Sequence, residues 1–332
     1  MKNLLPIRHK QHDFFIADIF DGIPYKDDMA SMEHPFFGLS TKKDLNPVNY
    51  EHNGNTVNIS PSVKGMPTIF DKDILLYCGS LLMAEVKKGI LPPKTIRISS
   101  HDLLVSTNRY TNNHGYKLLA QALERIQGVS ITTNIKTNNI EIREGFGLID
   151  KWKIVESSRV KDRMVKLEIT LSDWFYNSLL GNEVLTISPD YFRLRKPLER
   201  RLYELARKHC GNQRSWEVGI DKLHKKTGSK SLERKFRFLI KEIANNDLLP
   251  DYKVTFNSGK DQVTFINRGT VRENYNSIPP LQPDTYEKAR KHADGIDIYQ
   301  LESEWREWAK KNSSSPDNAD GAFIGFVKSK TK

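Results

Sequence analysis

The chain contains the same order of expected elements twice, and this repeat constrains its fold more than any other feature of the sequence. In the first copy, Ser99 or Ser100 caps a second helix, Gly128 ends a third, and Thr137-Asn138-Asn139 marks a hairpin turn between β-branched strands. Apolar residues spaced by three and four indicate the helices. The expected elements are helices at 71–88, about 100–105 and 114–127, and strands at 95–98, 129–136, from 140 onward, and 165–171.

The second copy follows the same order. Pro197 opens a helix that ends at Gly211, and Gly228 ends the helix that follows the next strand. Ser258-Gly259 then turns the chain between two alternating strands. The expected elements are helices at 197–210, 220–227 and 231–245, and strands at 216–218, 252–256 and 263–266.

Helix, strand, helix, helix and hairpin is the order of a helix-turn-helix module with a β-hairpin wing. We therefore predict an α+β fold with two tandem winged-helix domains and a small helical C-terminal region. Two unrelated α+β lobes that share an order of elements are the alternative. The predicted organisation is an N-terminal arm packed on the first lobe (1–70), a first winged helix (71–187), a second, basic winged helix (188–268), a linker (269–284) and a helical C-terminal region (285–332).

The positive charge of the chain is concentrated in one of these domains. Residues 193–268 hold 19 Lys and Arg against 9 Asp and Glu, whereas the whole chain has a formal net charge of +11. Such a concentration is typical of a module that binds a polyanion, and nucleic acid is the leading partner. A lysine-rich surface that serves solubility is the alternative.

The helix at 231–245 separates apolar and cationic residues at 100° per residue. We predict that its inner face buries apolar side chains and that its outer face reaches phosphates and base edges in a DNA major groove. The predicted inner residues are Leu232, Phe236, Leu239, Ile240 and Ile243, and the predicted DNA-binding residues are Lys230, Arg234, Arg237 and Lys241. On the preceding helix, Lys222, Lys225 and Lys226 would flank the DNA backbone.

Two further groups are candidates for DNA contact. On the third helix of the first lobe, Lys117 and Gln121 point outward beside Glu124 and Arg125, so this helix either reads bases or forms a protein interface. Before the helix at Pro197, three cations could touch phosphates, namely Arg193, Arg195 and Lys196. The basic run that continues to Arg207 is expected to be partly a solvated helix face on which Glu199 and Glu204 pair with neighbouring cations.

The C-terminal region differs in composition from the basic domain. A linker that includes Ser277-Ile278-Pro279-Pro280 precedes expected helices at 285–293 and 299–311, the second of which exposes Trp305 and Trp308. Residues 269–332 hold ten basic and ten acidic residues, so DNA binding by this part is not expected. It is either a docking site for a helicase or its loader, or a small helical cap on the second lobe.

The sequence contains no motif for catalysis that we could identify. No His-x-His pair lies near a tyrosine, as a nicking enzyme would need, and no P-loop occurs. We therefore expect no enzyme activity, no metal and no cofactor. Cys78 and Cys210 are expected to be buried reduced thiols. Since neither a signal peptide nor a membrane span is indicated, we expect a cytoplasmic protein without a membrane partner.

Several stretches resemble the plasmid replication initiator protein A family, which is itself similar to the paired winged-helix plasmid initiators. The resemblance extends from about Asp13 to Phe256. It is carried by 13–20 (DFFIADIF), 26–35 (KDDMASMEHP), 133–136 (TNIK), 145–149 (GFGLI) and, most specifically, 191–211 (YFRLRKPLERRLYELARKHCG).

The resemblance implies a protein that binds repeated sites, called iterons, in the double-stranded DNA of a plasmid origin. It also implies recruitment of the host initiator and of the replicative helicase or its loader. Similar initiators often repress their own promoter as dimers and start replication as monomers, so a homodimer is a further implied partner. A winged-helix transcriptional repressor without an initiator role is the alternative, and a DNA-nicking enzyme is a more distant one.

Overall fold

The structure, a computed structural model, describes most of the chain and forms two compact units, Met1–Asn267 and Arg268–Lys332. The segment 13–20, the turn at 137–139 and the linker residues 277–280 lie outside the described residues. The described ranges are 4–9, 25–52, 54–136, 145–156, 164–181, 183–211, 213–269, 281, 283–293, 296–311 and 319–330.

The N-terminal residues contribute to both lobes of the first unit. Their elements are β1 (Lys26–Asp28), α1 (Met29–Glu33), β2 (Val48–His52) and β3 (Asn55–Ser60). Strand β1 pairs antiparallel with residues 184–186. Phe36 and Phe37 are buried in the core of the first lobe, whereas Leu4 and Met32 are buried in the core of the second. The N-terminal residues are therefore shared between the lobes and do not pack on the first lobe alone.

The first lobe has the strand order of a winged helix. Its elements are α2 (Lys72–Lys87), β4 (Thr95–Ile98), α3 (Ser100–Ser106), α4 (Asn113–Gly128), β5 (Ser130–Thr133), β6 (Ile149–Glu156) and β7 (Met164–Leu171). Strand β7 lies between β4 and β6, so the sheet order is β4-β7-β6. The side chains of Ser99 and Asn112 cap α3 and α4, as expected for hydrogen-bonding residues at these positions.

The wing of the first lobe differs from the prediction. The hairpin that forms it joins β6 to β7, whereas β5 pairs with β3 of the N-terminal part, with Ile59 opposite Ile131. Among the described residues that follow β5, Phe146 forms an antiparallel bridge with Ile131, which is the register of a hairpin that turns at 137–139. Residues 140–144 of the expected second strand lie outside the described residues. The pairing of β5 with β3 was not predicted, because the alternation in β5 does not reveal a partner that lies some 70 residues earlier in the chain.

The second lobe repeats this arrangement. Its elements are α5 (Asp173–Leu180), β8 (Val184–Thr186), α6 (Pro197–His209), β9 (Ser215–Gly219), α7 (Ile220–Thr227), α8 (Glu233–Asn246), β10 (Tyr252–Asn257) and β11 (Gln262–Asn267), with α5 and β8 connecting the lobes. The sheet order is β10-β11-β9, which is the order of the first lobe. Gly228 ends α7 with a φ of +67°, a backbone conformation that glycine adopts without strain.

Helix α2 of the first lobe and helix α6 of the second are joined by two buried ion pairs. In one pair α2 supplies the cation, and in the other it supplies the anion. Lys72 Nζ lies 3.1 Å from Glu204 Oε1, and Asp73 Oδ1 lies 2.6 Å from Arg200 Nη1. All four side chains are at most 3% exposed. Because a sliding of one helix along the other would bring like charges together, these pairs specify one register between the lobes.

Further contacts satisfy the same charges. Arg109 donates to Asp73, Tyr191 donates to Glu204 over 2.7 Å, and Lys72 also pairs with Asp27 at 2.8 Å. Burial opposes the charge on Lys72, but the carboxylates of Asp27 and Glu204 keep its pKa above the ordinary value. The lobes are therefore joined by a hydrogen-bonded network in which each charge has a partner of opposite sign.

The expectation of a solvated face on α6 is wrong. Glu199, Arg200, Arg201 and Glu204 are between 1% and 3% exposed. Arg201 pairs with Glu204 and donates to the backbone carbonyls of Ser31, Met32, Glu33 and Lys226. The charged residues at 199–204 therefore serve the interior of the unit, whereas Arg195 and Lys196, which precede the helix, are exposed.

The C-terminal unit has a core of its own. Its helices are α9 (Pro283–Arg290), α10 (Ile298–Lys311) and α11 (Ala319–Lys330), and its buried residues include Leu301 and Phe323. Trp305 is 2% exposed, so the predicted exposure of this residue is wrong, whereas Trp308 is half exposed. Trp305 is buried because its ring packs against Phe323 of α11, with ring centroids 5.4 Å apart.

The two cysteines are free and buried, as expected, and burial raises the pKa of the Cys78 thiol to about 12. Among the described residues, no helix is long and apolar enough to cross a membrane.

Removing one partner from the network should be far more costly than removing an exposed arginine. We expect Arg200→Met to lower the free energy of unfolding by about 3–5 kcal/mol, because Asp73 then remains buried without its closest cation. Arg195→Met, on the exposed residue five positions earlier, should change it by no more than about 0.5 kcal/mol. Urea unfolding followed by tryptophan fluorescence measures both values, and equal midpoints for the two variants would contradict the role given to Arg200.

Candidate nucleic-acid interface

Helix α8 occupies the position of a recognition helix and buries its predicted apolar face. Phe236, Ile240 and Ile243 are at most 2% exposed, and Leu239 is partly buried against the same core. Leu232 is 82% exposed, so its predicted burial is wrong. The helix begins at Glu233, two residues after the predicted start at 231. Leu232 is its N-terminal cap residue, and the Leu232 carbonyl accepts a hydrogen bond from the Phe236 amide.

The opposite face of α8 presents cations and one aromatic ring to solvent. Arg234, Lys235 and Lys241 are exposed, and the Phe238 side chain is 64% exposed. Within the described residues, Arg234 and Lys235 have no side-chain hydrogen bond or ion pair. The Lys241 ammonium lies 5.5 Å from the centre of the Phe256 ring on the wing. This face therefore offers free donors, which is what readout of base edges and phosphates requires.

Two residues of this face, Lys235 and Phe238, were missed by the sequence analysis. A signal for Phe238 was present, since it lies four positions after Arg234 and thus 40° away on the helix. It was missed because a phenylalanine in an amphipathic helix normally belongs to the core.

Arg237 does not share in the free face, which corrects its predicted role. Its guanidinium lies 2.7 Å from Asp261 in the wing turn, 3.2 Å from Glu233 and 3.7 Å from Asp221. The hydrogen bonds that Arg237 donates to Asp261 raise the pKa of Arg237. Arg237 is thus occupied by three carboxylates and links the wing to α8 and α7. The prediction failed because Asp261 lies 24 residues away in the sequence.

The three lysines of α7 have two different environments. Lys222 and Lys225 are exposed, as a backbone contact requires. Lys226 is 3% exposed and pairs with Glu33 of α1 at 3.3 Å, so its predicted contact with DNA is wrong. Burial lowers the pKa of Lys226.

The cations that precede α6 and α8 are placed as follows. Arg193 donates to the Leu5 carbonyl and to Asp190, each over 2.7 Å, and is partly buried. Lys196 pairs with Glu242 at 3.0 Å and Lys230 with Asp44 at 2.6 Å, and both lysines remain about half exposed. Arg195 is exposed and has no side-chain partner in the described part of the chain. Among these residues, Arg195 is the one that is freest to bind a phosphate.

Helix α4, the corresponding helix of the first lobe, exposes Lys117, Leu118 and Gln121. Its Arg125 does not point into solvent as expected, because Asp71 accepts two hydrogen bonds from it at 2.7 and 2.8 Å. Leu118 and Gln121 line a cleft of about 680 Å³ that is also lined by Arg195 of the second lobe. The outer face of α4 therefore forms one wall of a cleft that residues of both lobes line.

Within the described ranges, no group of three or more His, Cys, Asp or Glu side chains is arranged to hold a metal ion.

The fold and this surface define the class of protein, namely a tandem winged-helix protein with an exposed cationic recognition helix. The sequence model of the family "Replication initiator protein A" matches residues 26–254. The chain belongs to this family, and the resemblance inferred from the sequence is confirmed. A curated relative from Wigglesworthia glossinidia brevipalpis, "Putative replication protein", is 39% identical over 269 residues, which are 80% of this chain and 98% of the relative.

Solved structures with a similar fold include domains 2 and 3 of RctB. One crystal structure of these domains has a TM-score of 0.51 at 15% identity, over 70% of this chain and 95% of the other. A second has a TM-score of 0.48 at 16% identity, over 72% and 96%. The first likeness supports the tandem winged-helix fold predicted from the element order.

We expect Arg234 and Lys225 to contribute to DNA binding in different ways. Arg234→Ala should cost about 1–3 kcal/mol in specific binding if the guanidinium reads a base, whereas Lys225→Ala should lower the salt slope by about one unit on any sequence. Titrations of specific and random duplexes at several salt concentrations separate the two effects. An equal loss on both duplexes for Arg234→Ala would show that this arginine does not read a base.

We predict that Phe238 contacts a thymine methyl group, since apolar side chains recognise this group in the major groove. A buried methyl contributes about 0.8 kcal/mol, or roughly fourfold in affinity. At one position of a specific site, uracil in place of thymine should therefore weaken binding by the wild-type protein by this factor. The same replacement should leave Phe238→Ala unchanged. A wild-type protein that is insensitive to uracil at every position would refute the contact.

Proposed function

We propose that this member of the replication initiator protein A family binds iterons in double-stranded DNA at a plasmid origin through both winged helices. The observation that carries the proposal is the free cationic face of α8, in which Arg234, Lys235 and Lys241 surround the exposed ring of Phe238. An exposed aromatic ring flanked by cations suits a major groove, which offers thymine methyl groups to apolar side chains and phosphates to cations.

The first lobe contributes a second, weaker contact. Lys117 and Gln121 are exposed on α4, and glutamine can bind adenine through two hydrogen bonds. Its helix has only one free cation, because Arg125 is held by Asp71. In this proposal the second lobe supplies most of the affinity, and the first lobe adds sequence discrimination at the other half of the site.

The C-terminal unit is proposed to recruit the host initiator and the replicative helicase or its loader. Its exposed aromatic side chains, Tyr299 and Trp308, are 46% and 50% exposed on α10. Aromatic residues are enriched in protein interfaces, and the balanced charge of this part does not favour DNA. A homodimer that represses the promoter of its own gene belongs to the same proposal.

We also propose that the protein acts by binding alone, without a catalytic step. The absence of a His-x-His pair and of a P-loop from the sequence supports this view. Supercoiled plasmid that carries the origin should stay supercoiled when it is incubated with the protein and Mg²⁺ or Mn²⁺. The appearance of relaxed circles would mean that the chain contains an unrecognised nicking site.

A footprint on the non-coding DNA that flanks the gene of this protein tests the proposed function. At physiological salt and with excess random competitor, we expect protection of several evenly spaced direct repeats. A single protected inverted repeat over the promoter would favour the transcriptional repressor, and no protection at all would contradict DNA recognition.

A further inference from the structure

Two loops of the N-terminal part form a platform that neither winged helix includes. The 38–46 loop and the 61–69 loop are joined by backbone hydrogen bonds, from the Gly38 amide to the Pro67 carbonyl and from the Met66 amide to the Asp44 carbonyl, both 2.8 Å. Gly65 of the 61–69 loop has a φ of +100°, and a Cβ at this position would come within 3.1 Å of the Lys43 side chain in the other loop. The geometry of the two loops is therefore tightly defined.

The platform contacts both lobes. Lys64 of the 61–69 loop pairs with Glu124 of α4 at 3.1 Å. Asp44 of the 38–46 loop pairs with Lys230, three residues before α8 begins, at 2.6 Å. One ion pair therefore reaches α4, and the other reaches the loop that leads into α8.

The platform also carries free positive charge. Lys42 and Lys43 are exposed and have no side-chain partner among the described residues. Both line the 680 Å³ cleft, as do Gln121 of α4 and Arg195 of the second lobe. Three cations that have no ion-pair partner among the described residues, Lys42, Lys43 and Arg195, thus line a cleft beside α4. An anion would be attracted there.

We propose that Lys42 and Lys43 bind phosphates of duplex DNA between the two segments of major groove that α4 and α8 enter. The inference rests on the proposed function. When two recognition helices of one protein read the same side of a duplex, the element between them faces the backbone around the intervening minor groove. Lysine is a point charge with three donors, so such a contact adds affinity and fixes the register without reading sequence.

The two lysines have a role that simple solubility would not require. Solubility needs only net charge, and it sets no demand on where a lysine lies. Here a glycine with positive φ, two backbone bridges and two ion pairs hold the two loops of the platform in place, and Asp44, next to Lys43, makes one of these ion pairs. The platform consequently extends the DNA-binding surface from two separate helices to one continuous strip.

The test compares Lys42→Ala/Lys43→Ala with a variant that loses the same charge elsewhere, Lys288→Ala/Lys291→Ala in the C-terminal unit. Both pairs are exposed, so both variants should fold. The probe is the DNA that flanks the gene, titrated between 50 and 200 mM salt. Loss of two phosphate contacts should reduce the slope of log K against log salt by about 1.8 in the first variant. The slope of the second variant should match the wild type, and Lys42→Arg/Lys43→Arg should restore the wild-type slope.

Hydroxyl-radical footprinting of the same complexes locates the contact. We expect the wild type to protect two outer segments and the backbone between them, and Lys42→Ala/Lys43→Ala to lose only the protection between them. Unchanged slope and unchanged central protection would overturn the platform contact while leaving the proposed function intact. No protection by the wild type would instead reject the proposed function. Equal slope losses in both double variants would show that only the net charge matters.

Discussion

The buried ion pairs between α2 and α6 are the interaction on which the arrangement of the two winged helices depends. Lys72 and Asp73 are neighbours of opposite sign on α2, and they meet Glu204 and Arg200, one turn apart on α6. Buried pairs contribute little net stability, because each charge has lost its hydration. Their effect is specificity, since only one register of the two helices satisfies all four charges.

This constraint explains how the surface cations are arranged. The same α6 that carries Arg200 and Glu204 also holds Arg201, which binds the backbone of α1 and the end of α7. The 38–46 loop follows α1 in the chain and reaches Lys230. Polar contacts therefore run from the junction of the lobes to the loop that leads into α8, and Lys64 extends them to α4. A replication initiator built in this way presents its two recognition helices from one framework.

Local pattern was sufficient for much of the fold. The spacing of Phe236, Ile240 and Ile243 predicted α8, and the order of elements predicted both winged helices, because these signals lie within a few residues of each other in the chain. The pairing of β5 with β3 and the hairpin of β6 and β7 were not predicted, because these partners cannot be identified from a local period.

The charged residues were harder to interpret. Arg200, Arg201 and Lys226 are buried, and Arg237 is occupied by carboxylates, although all four are typical surface residues by composition. Their partners lie as many as 193 positions away, which is the separation of Glu33 from Lys226, and no local period reveals them. For the same reason Lys42 and Lys43 were not recognised as residues that share a cleft with α4. A count of cations thus located the basic domain but not its free charges.

The effect of half-site spacing on DNA affinity is the most direct test of a fixed arrangement of the two lobes. Once a specific site has been footprinted, two to five base pairs are inserted between the halves contacted by α4 and α8, and binding is titrated at constant salt. If the two lobes form one framework, each insertion rotates one half away from its helix, and the affinity should fall to that of an isolated half-site. Affinity that is unchanged by the insertions would show that the lobes move independently and would contradict the account.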